Sequence, residues 1–160
     1  MRLNTILVVC AAVFLLSACA EEQKAGSGAG TGSSAQMGAQ IKPGSQEDLK
    51  ANYGDRIFFD FDKSDLRPDA RAQVQKWAEF LKKYPQDTVT LEGNCDDRGT
   101  REYNLALGER RAEAGKRALI ALGVDSKRIA TISYGKERPS VVGDNEAAWA
   151  QNRNDIMVVN

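Results

Sequence analysis

The chain has 160 residues, enough for one modest folded domain with appendages. Lysine plus arginine and aspartate plus glutamate balance at 22 each, so no general electrostatic attraction to nucleic acid is expected. Histidine is absent, which removes the commonest general base and the commonest metal ligand, and the three cysteines, Cys10, Cys19 and Cys95, have no zinc-site spacing.

Met1-Arg2 makes a short positive start, and Ile6 to Leu16 is an apolar run closed by Leu16-Ser17-Ala18-Cys19. A spanning helix needs ~20 apolar residues, so this run fits a cleaved signal peptide over residues 1–18 instead. Leu-Ser-Ala-Cys resembles the bacterial lipobox, whose cysteine is acylated and becomes the first residue of the mature protein. On that resemblance Cys19 carries lipid, and the non-acidic Ala20 after it implies export to the outer membrane. Residues 19–45 then form a tether, with Ala25 to Ser34 small and polar and little to bury. Roughly 25 such residues have an r.m.s. span of ~25–30 Å. Cys95 is left as a single thiol in an oxidising compartment, and a small half-buried residue at a strand end is its expected role.

The folded domain is expected over residues 46–160. Gln46 to Tyr53 reads as a short helix or an ordered lead-in. Arg56 to Phe61 alternates as a strand, with Ile57, Phe59 and Phe61 on one face. After a polar loop from Asp62 to Leu66, Pro68 opens a helix whose buried stripe is Ala70, Val74, Trp77, Leu81 and Tyr84, and Pro85 stops it. Thr88 to Gly93 is a strand with Val89 and Leu91 facing inward. A second helix runs from about Arg101 to Leu122, with Leu105, Gly108, Ala112, Gly115 and Leu119 packed on the sheet and Gly123 just past its end. Arg128 to Tyr134 and Asp155 to Val159 read as strands, and Glu146 to Asn152 as a short helix between them. Strands alternating with helices imply a two-layer α/β sandwich.

Candidate chemistry gathers between Gly93 and Ala112. The loop from Asn94 to Thr100 carries Asp96, and the helix after it sets Asn104, Leu107 and Arg111 on one stripe at i, i+3 and i+7. A carboxylate and a guanidinium so placed can grip a zwitterion, Asp96 taking an ammonium and Arg111 a carboxylate. Equally, the two side chains can pair with each other or with neighbours on a solvated face. Catalysis is not expected. Asp96 and the adjacent Asp97 do not face one another across a substrate as glycosidase carboxyls must, and no serine or cysteine has a visible base. Asp60, Asp62 and Asp65 hint at a calcium loop, but the glycine and the twelfth-position acid of an EF-hand are missing. No metal site and no cofactor is expected.

Gly93, Asp96, Gly99, Asn104, Leu107, Arg111 and Ala112 together resemble the peptidoglycan-binding motif of the OmpA C-terminal family. Phe59-Asp60-Phe61-Asp62-Lys63-Ser64, Ser133 to Pro139 and Asn152-Arg153 support the likeness, which runs from about Ile57 to the C-terminus. The resemblance implies a mixed four-stranded sheet with helices on one side, in the order β-α-β-α-β-α-β. It also implies an outer-membrane lipoprotein that binds peptidoglycan non-covalently at the diaminopimelate of the stem peptide. Carried over by motif, Asp96 receives the ammonium and Arg111 the carboxylate, Asn104 supports the loop or the peptide, and Leu107 packs against its aliphatic part. Phe61 and Asp62 line the same groove, and Arg98 is a rim contact. Arg153 is either a surface ion-pair partner closing the last strand or a ligand contact. A TolB-like periplasmic protein is an implied partner on an overlapping surface, and a Tol-docking module with weak wall binding is the rival reading. Two positions depart from the family pattern: Asn94 stands where a histidine is usual, and Asn154 where an arginine is common.

Overall fold

The computed structural model describes residues 41–160; the expected signal segment, Cys19 and most of the expected tether lie outside the described residues. Helix α1 (Gln46–Asp48) continues as a π-helical turn, Leu49–Tyr53. There follow β1 (Arg56–Phe58), α2 (Pro68–Lys83), β2 (Val89–Asn94), α3 (Arg101–Ala121), a 3-10 turn (Ser126–Arg128), β3 (Ile129–Gly135), α4 (Glu146–Asn152) and β4 (Asn154–Val159). The four strands form one mixed sheet in the order β1-β4-β2-β3, with β2/β3 parallel and β4 antiparallel to both β1 and β2. Helices cover one face, as a two-layer α/β sandwich requires. Among the described residues no helix is long and apolar enough to cross a membrane.

Local signals account for most boundaries. Pro68 sits at the first position of α2, where its missing N–H leaves no bond unmade, and the helix ends one residue before Tyr84-Pro85. Thr100 caps α3 by accepting from the Tyr103 N–H at 3.2 Å. Gly123, at φ +91°, follows the end of that helix in the left-handed conformation. The core lies between α2, α3 and the inner sheet face: Trp77, Phe80, Leu81, Val89, Leu91, Leu119 and Met157 are fully buried. Trp77 also donates from Nε1 to the Gly54 carbonyl at 2.8 Å, so its polar edge is satisfied.

Two expectations need correction. The first strand is shorter than Arg56 to Phe61. Pairing with β4 ends at Phe58 opposite Asn154, and the chain then exchanges a bond with the residue before that strand, Phe59 N–H donating to the Arg153 carbonyl at 2.9 Å. Ile57 and Phe59 are buried as the alternation suggests, but Phe61 has left the sheet and is 56% exposed. Leu105 was expected on the packed face of α3 and is 48% exposed; the buried residues are Asn104, Leu107, Gly108, Arg111, Ala112, Gly115 and Leu119. The physical reason is a backbone contact. A Cβ on Gly93 would stand 2.0 Å from the Gly108 carbonyl oxygen, and one on Gly108 would stand 2.3 Å from Ser133 Oγ. This close seating fixes the helix rotation. It turns Leu107 and Arg111 inward and leaves Leu105 beside Thr131, Ile132 and Ser133, near the outer edge of β3.

Candidate functional site

At the C-terminal end of β2 the sheet, the loop Cys95–Thr100, the start of α3 and the loop after β1 enclose a pocket of about 150 Å³. Phe61, Asp62, Asp96, Arg98, Asn104, Leu107 and Arg111 all line it. Cys95, Gly99, Tyr103 and Arg153 complete the wall. The elements bring these groups from three separated stretches of sequence to one mouth.

Arg111 is fully buried and does not pair with Asp96. Its Nε donates to the Lys63 carbonyl at 2.8 Å, Nη1 to the Asn94 carbonyl at 2.7 Å and Nη2 to the Asp60 carbonyl at 3.2 Å. It therefore ties the loop after β1 to the end of β2, and its charge meets carbonyl dipoles rather than a carboxylate. One Nη2 hydrogen has no acceptor among the described residues. The fork expected to meet a carboxylate is thus largely committed to backbone carbonyls, with a single Nη2 hydrogen left over. The Phe59 ring lies 4.9 Å from the guanidinium.

Asp96 is 4% exposed and holds two arginines. Arg98 donates from Nη2 to Oδ2 at 2.6 Å and from Nε to Oδ1 at 3.3 Å, and Arg153 donates from Nη1 to Oδ2 at 3.3 Å. Burial alone would raise the carboxyl's pKa, but the bonds from Arg98 and Arg153 outweigh it and hold the group below the usual carboxylate range. Arg153 is buried, with Nη2 on Glu146 Oε1 at 2.6 Å and Nε on the Phe59 carbonyl at 3.1 Å, so the reading of a surface ion pair is corrected. Asn104 holds the loop, donating from Nδ2 to the Arg98 carbonyl at 2.8 Å and the Thr100 carbonyl at 3.1 Å. Asp62, at φ +56°, accepts from the Tyr103 hydroxyl. Burial pushes the Cys95 thiol up to about 11, against the opposing influence of Arg111, and its Sγ donates to the Asn104 carbonyl at 3.3 Å. A thiol so placed is protonated at neutral pH and makes no nucleophile. It is more deeply buried than the half-buried strand-end residue expected. Among the described residues no group of three or more acids and cysteines could hold a metal ion, including Asp60, Asp62 and Asp65.

Some site features gave no sequence signal. Trp149 on α4 stacks its ring 4.1 Å from the Arg98 guanidinium, opposite Phe61 at 4.1 Å. Asp155 reads as an ordinary strand residue, yet it is fully buried, and neither carboxylate oxygen is hydrogen-bonded among the described residues. Burial drives its pKa well above the carboxylate range, with Arg111 opposing. The two departures from the family pattern meet each other: Asn94 Nδ2 donates to Asn154 Oδ1 at 3.2 Å, and Asn154 Nδ2 donates to the Gln151 carbonyl at 2.6 Å. Amides at both positions bond to each other without a charge.

Comparisons with known proteins converge on one family. The family model "OmpA family" matches residues 58–154. The chain is 44% identical over 161 residues to a peptidoglycan-associated lipoprotein of Rhizobium meliloti, covering 98% of this chain and 88% of that one. It is 52% identical over 118 residues to the protein of the same name from Brucella melitensis, covering 74% and 70%. The crystal structure of the peptidoglycan-associated lipoprotein from Burkholderia pseudomallei superposes with a TM-score of 0.64 at 45% identity, over 66% of this chain and 90% of that one. The chain belongs to the OmpA family and closely matches its peptidoglycan-associated lipoproteins.

Proposed function

We propose that this protein is an outer-membrane lipoprotein, anchored through lipid on Cys19, that binds peptidoglycan non-covalently and tethers the membrane to the wall. The names of its relatives support the ligand class. The observation that carries the residue-level reading is the pocket itself: Asp96 and Arg111, opposite in charge and not paired with each other, line one cavity of about 150 Å³. The side-chain end of diaminopimelate carries an ammonium and a carboxylate on one carbon. Asp96 takes the ammonium, and the Nη2 hydrogen of Arg111 that faces no acceptor takes the carboxylate. Leu107 and Phe61 flank the methylene chain, and Asn104 keeps the loop in place. Asp62 and Arg98 stand at the rim. No bond is made or broken. Binding to a TolB-like partner on the same face, within a Tol-Pal system serving envelope integrity and cell division, completes the reading.

Wall sacculi of two chemotypes test it. The full chain in detergent should co-sediment with diaminopimelate-type sacculi and be released by a free diaminopimelate stem peptide. Lysine-type sacculi, whose stem offers no side-chain carboxylate, should retain little. Equal retention on both, or release of soluble muropeptides from either, contradicts the proposal. Failure to sediment with either, together with capture by a TolB-like protein, favours the docking module.

A further inference from the structure

The acceptor capacity of Asp96 is already filled. Oδ1 accepts from the Arg98 backbone N–H at 3.3 Å and from Arg98 Nε at 3.3 Å; Oδ2 accepts from Arg98 Nη2 at 2.6 Å and Arg153 Nη1 at 3.3 Å. Two carboxylate oxygens offer about four lone-pair sites, so a ligand ammonium has nowhere to bind until something leaves. The two arginines differ in their freedom to go. Arg153 is buried and anchored at both other nitrogens, on the Phe59 carbonyl and Glu146. Arg98 has a side chain 31% exposed, and its remaining contacts are the faces of Phe61 and Trp149 and a 3.8 Å approach to Glu146 Oε2. The Trp149 indole N–H has no acceptor among the described residues, and the ring stacks on the Arg98 guanidinium. Gly99, at φ +92°, turns the chain immediately after Arg98.

We infer that the Arg98 side chain is an internal stand-in for the ligand's ammonium, and that the ligand binds by exchanging with it at Asp96. This rests on the proposed binding of a zwitterion at Asp96 and adds a selection step to it. Withdrawal of the guanidinium frees one site on each carboxylate oxygen for the incoming ammonium. The displaced Arg98 stays near the mouth, where a ligand carboxylate is a replacement partner. A zwitterionic end therefore restores the ion pair that it breaks. A ligand with an ammonium alone exchanges one cation for another and leaves Arg98 without its carboxylate. Arg98 is thus a specificity-determining residue: it penalises amines and is nearly neutral toward amino acids. The preference it creates adds to whatever Arg111 supplies, which matters because most of the Arg111 fork is held by backbone carbonyls.

Calorimetric titration of the full chain in detergent, unsubstituted and as Arg98→Ala, tests this with two probes: a stem peptide carrying diaminopimelate and the same peptide carrying lysine. In the variant the lysine peptide should bind more tightly, on the order of 3- to 10-fold, because no partly exposed ion pair must open. The diaminopimelate peptide should change by less than about threefold, cost and gain both being removed. The ratio of the two affinities should shrink accordingly. Trp149 gives a second readout, since the chain's other tryptophan, Trp77, is buried far along α2. Diaminopimelate peptide should change the tryptophan emission of the unsubstituted chain and change that of Arg98→Ala much less. If Arg98→Ala weakens both peptides, or weakens only the diaminopimelate peptide, Arg98 is an ordinary contact and the exchange is wrong. An unchanged ratio also overturns it. If the unsubstituted chain binds neither peptide, the zwitterion reading fails first and takes the exchange with it.

Discussion

Helix α3 and strands β2 and β4 each run through two regions of opposite character. Toward one end they meet α2 in an apolar core, where Leu119, Leu91, Val89 and Met157 pack with Trp77 and Phe80. Toward the other they carry Asn94, Asn104, Arg111, Asn154 and Asp155, which the flanking loop and the end of α4 join with Asp96, Asn152 and Arg153, all buried and all polar. Among the described residues only Asp48 of the buried polar side chains lies outside that second region, so the segregation is nearly complete. Burying charge is costly unless each group finds partners, and replacing such a network with apolar packing often leaves stability equal or higher. The apolar end therefore supplies the main drive for folding, and the polar end adds little to it. Gly93 and Gly108 join the two, since their contact brings the helix close enough for Arg111 to reach the carbonyls of Asp60 and Lys63.

The comparison breaks most severely at the apolar end. Trp77→Ala should lower unfolding free energy by about 3–5 kcal/mol, the range for truncating a buried aromatic, while ligand affinity per folded molecule stays unchanged. Urea melts and a titration at low urea check both halves. At the polar end Asp96→Asn should cost ligand affinity, and it should also cost some stability, because the buried Arg153 loses a carboxylate partner. Losing one partner of a desolvated charge pair costs ~2–5 kcal/mol, roughly 30-fold to several-thousand-fold in affinity for a diaminopimelate stem peptide. Arg110→Ala, whose guanidinium lies near Tyr103 and outside the pocket lining, should change that affinity little.

The sequence made the two ends unequally legible. Apolar periodicity marked Val74, Trp77 and Leu81 on α2 and Val89 and Leu91 on β2, because burial of a helix or strand face leaves a pattern within a few residues. The seven candidate residues were found through a motif, and the structure gathers them at one pocket. What binds to what inside that pocket was not legible. Asp96 meets Arg153 across 57 positions of sequence, Arg111 meets carbonyls 48 and 51 positions away, and no periodicity encodes such pairings. Leu105 and Phe61 were misplaced for related reasons: a glycine contact decides helix rotation, and the end of the β4 partner decides where β1 stops.

Asp155 sharpens the contrast with a smaller, opposite effect. Burial raises its pKa well above the ordinary carboxylate range, so the folded chain holds a proton that the unfolded chain releases. Its contribution to stability must fall as pH rises from about 3.9 toward the raised folded value. Asp155→Asn imitates the protonated group. The variant and the unsubstituted chain should be equally stable near pH 3.5, and the variant should be the more stable of the two at pH 8. Chemical denaturation at the two pH values checks the sign. Cys95→Ala should be smaller still, on the order of 1 kcal/mol in stability, with affinity within a few-fold, as fits a buried protonated thiol that does no chemistry.

The central claim is that the polar end reads the two opposite charges at the end of diaminopimelate. The most direct measurement is a calorimetric titration of the full chain with two stem peptides that differ only in that side-chain carboxylate, one free and one amidated. The zwitterion clamp predicts that amidation weakens binding by roughly 30-fold or more, since about 2 kcal/mol or more rides on the lost charge. Equal affinity for the two peptides would contradict it.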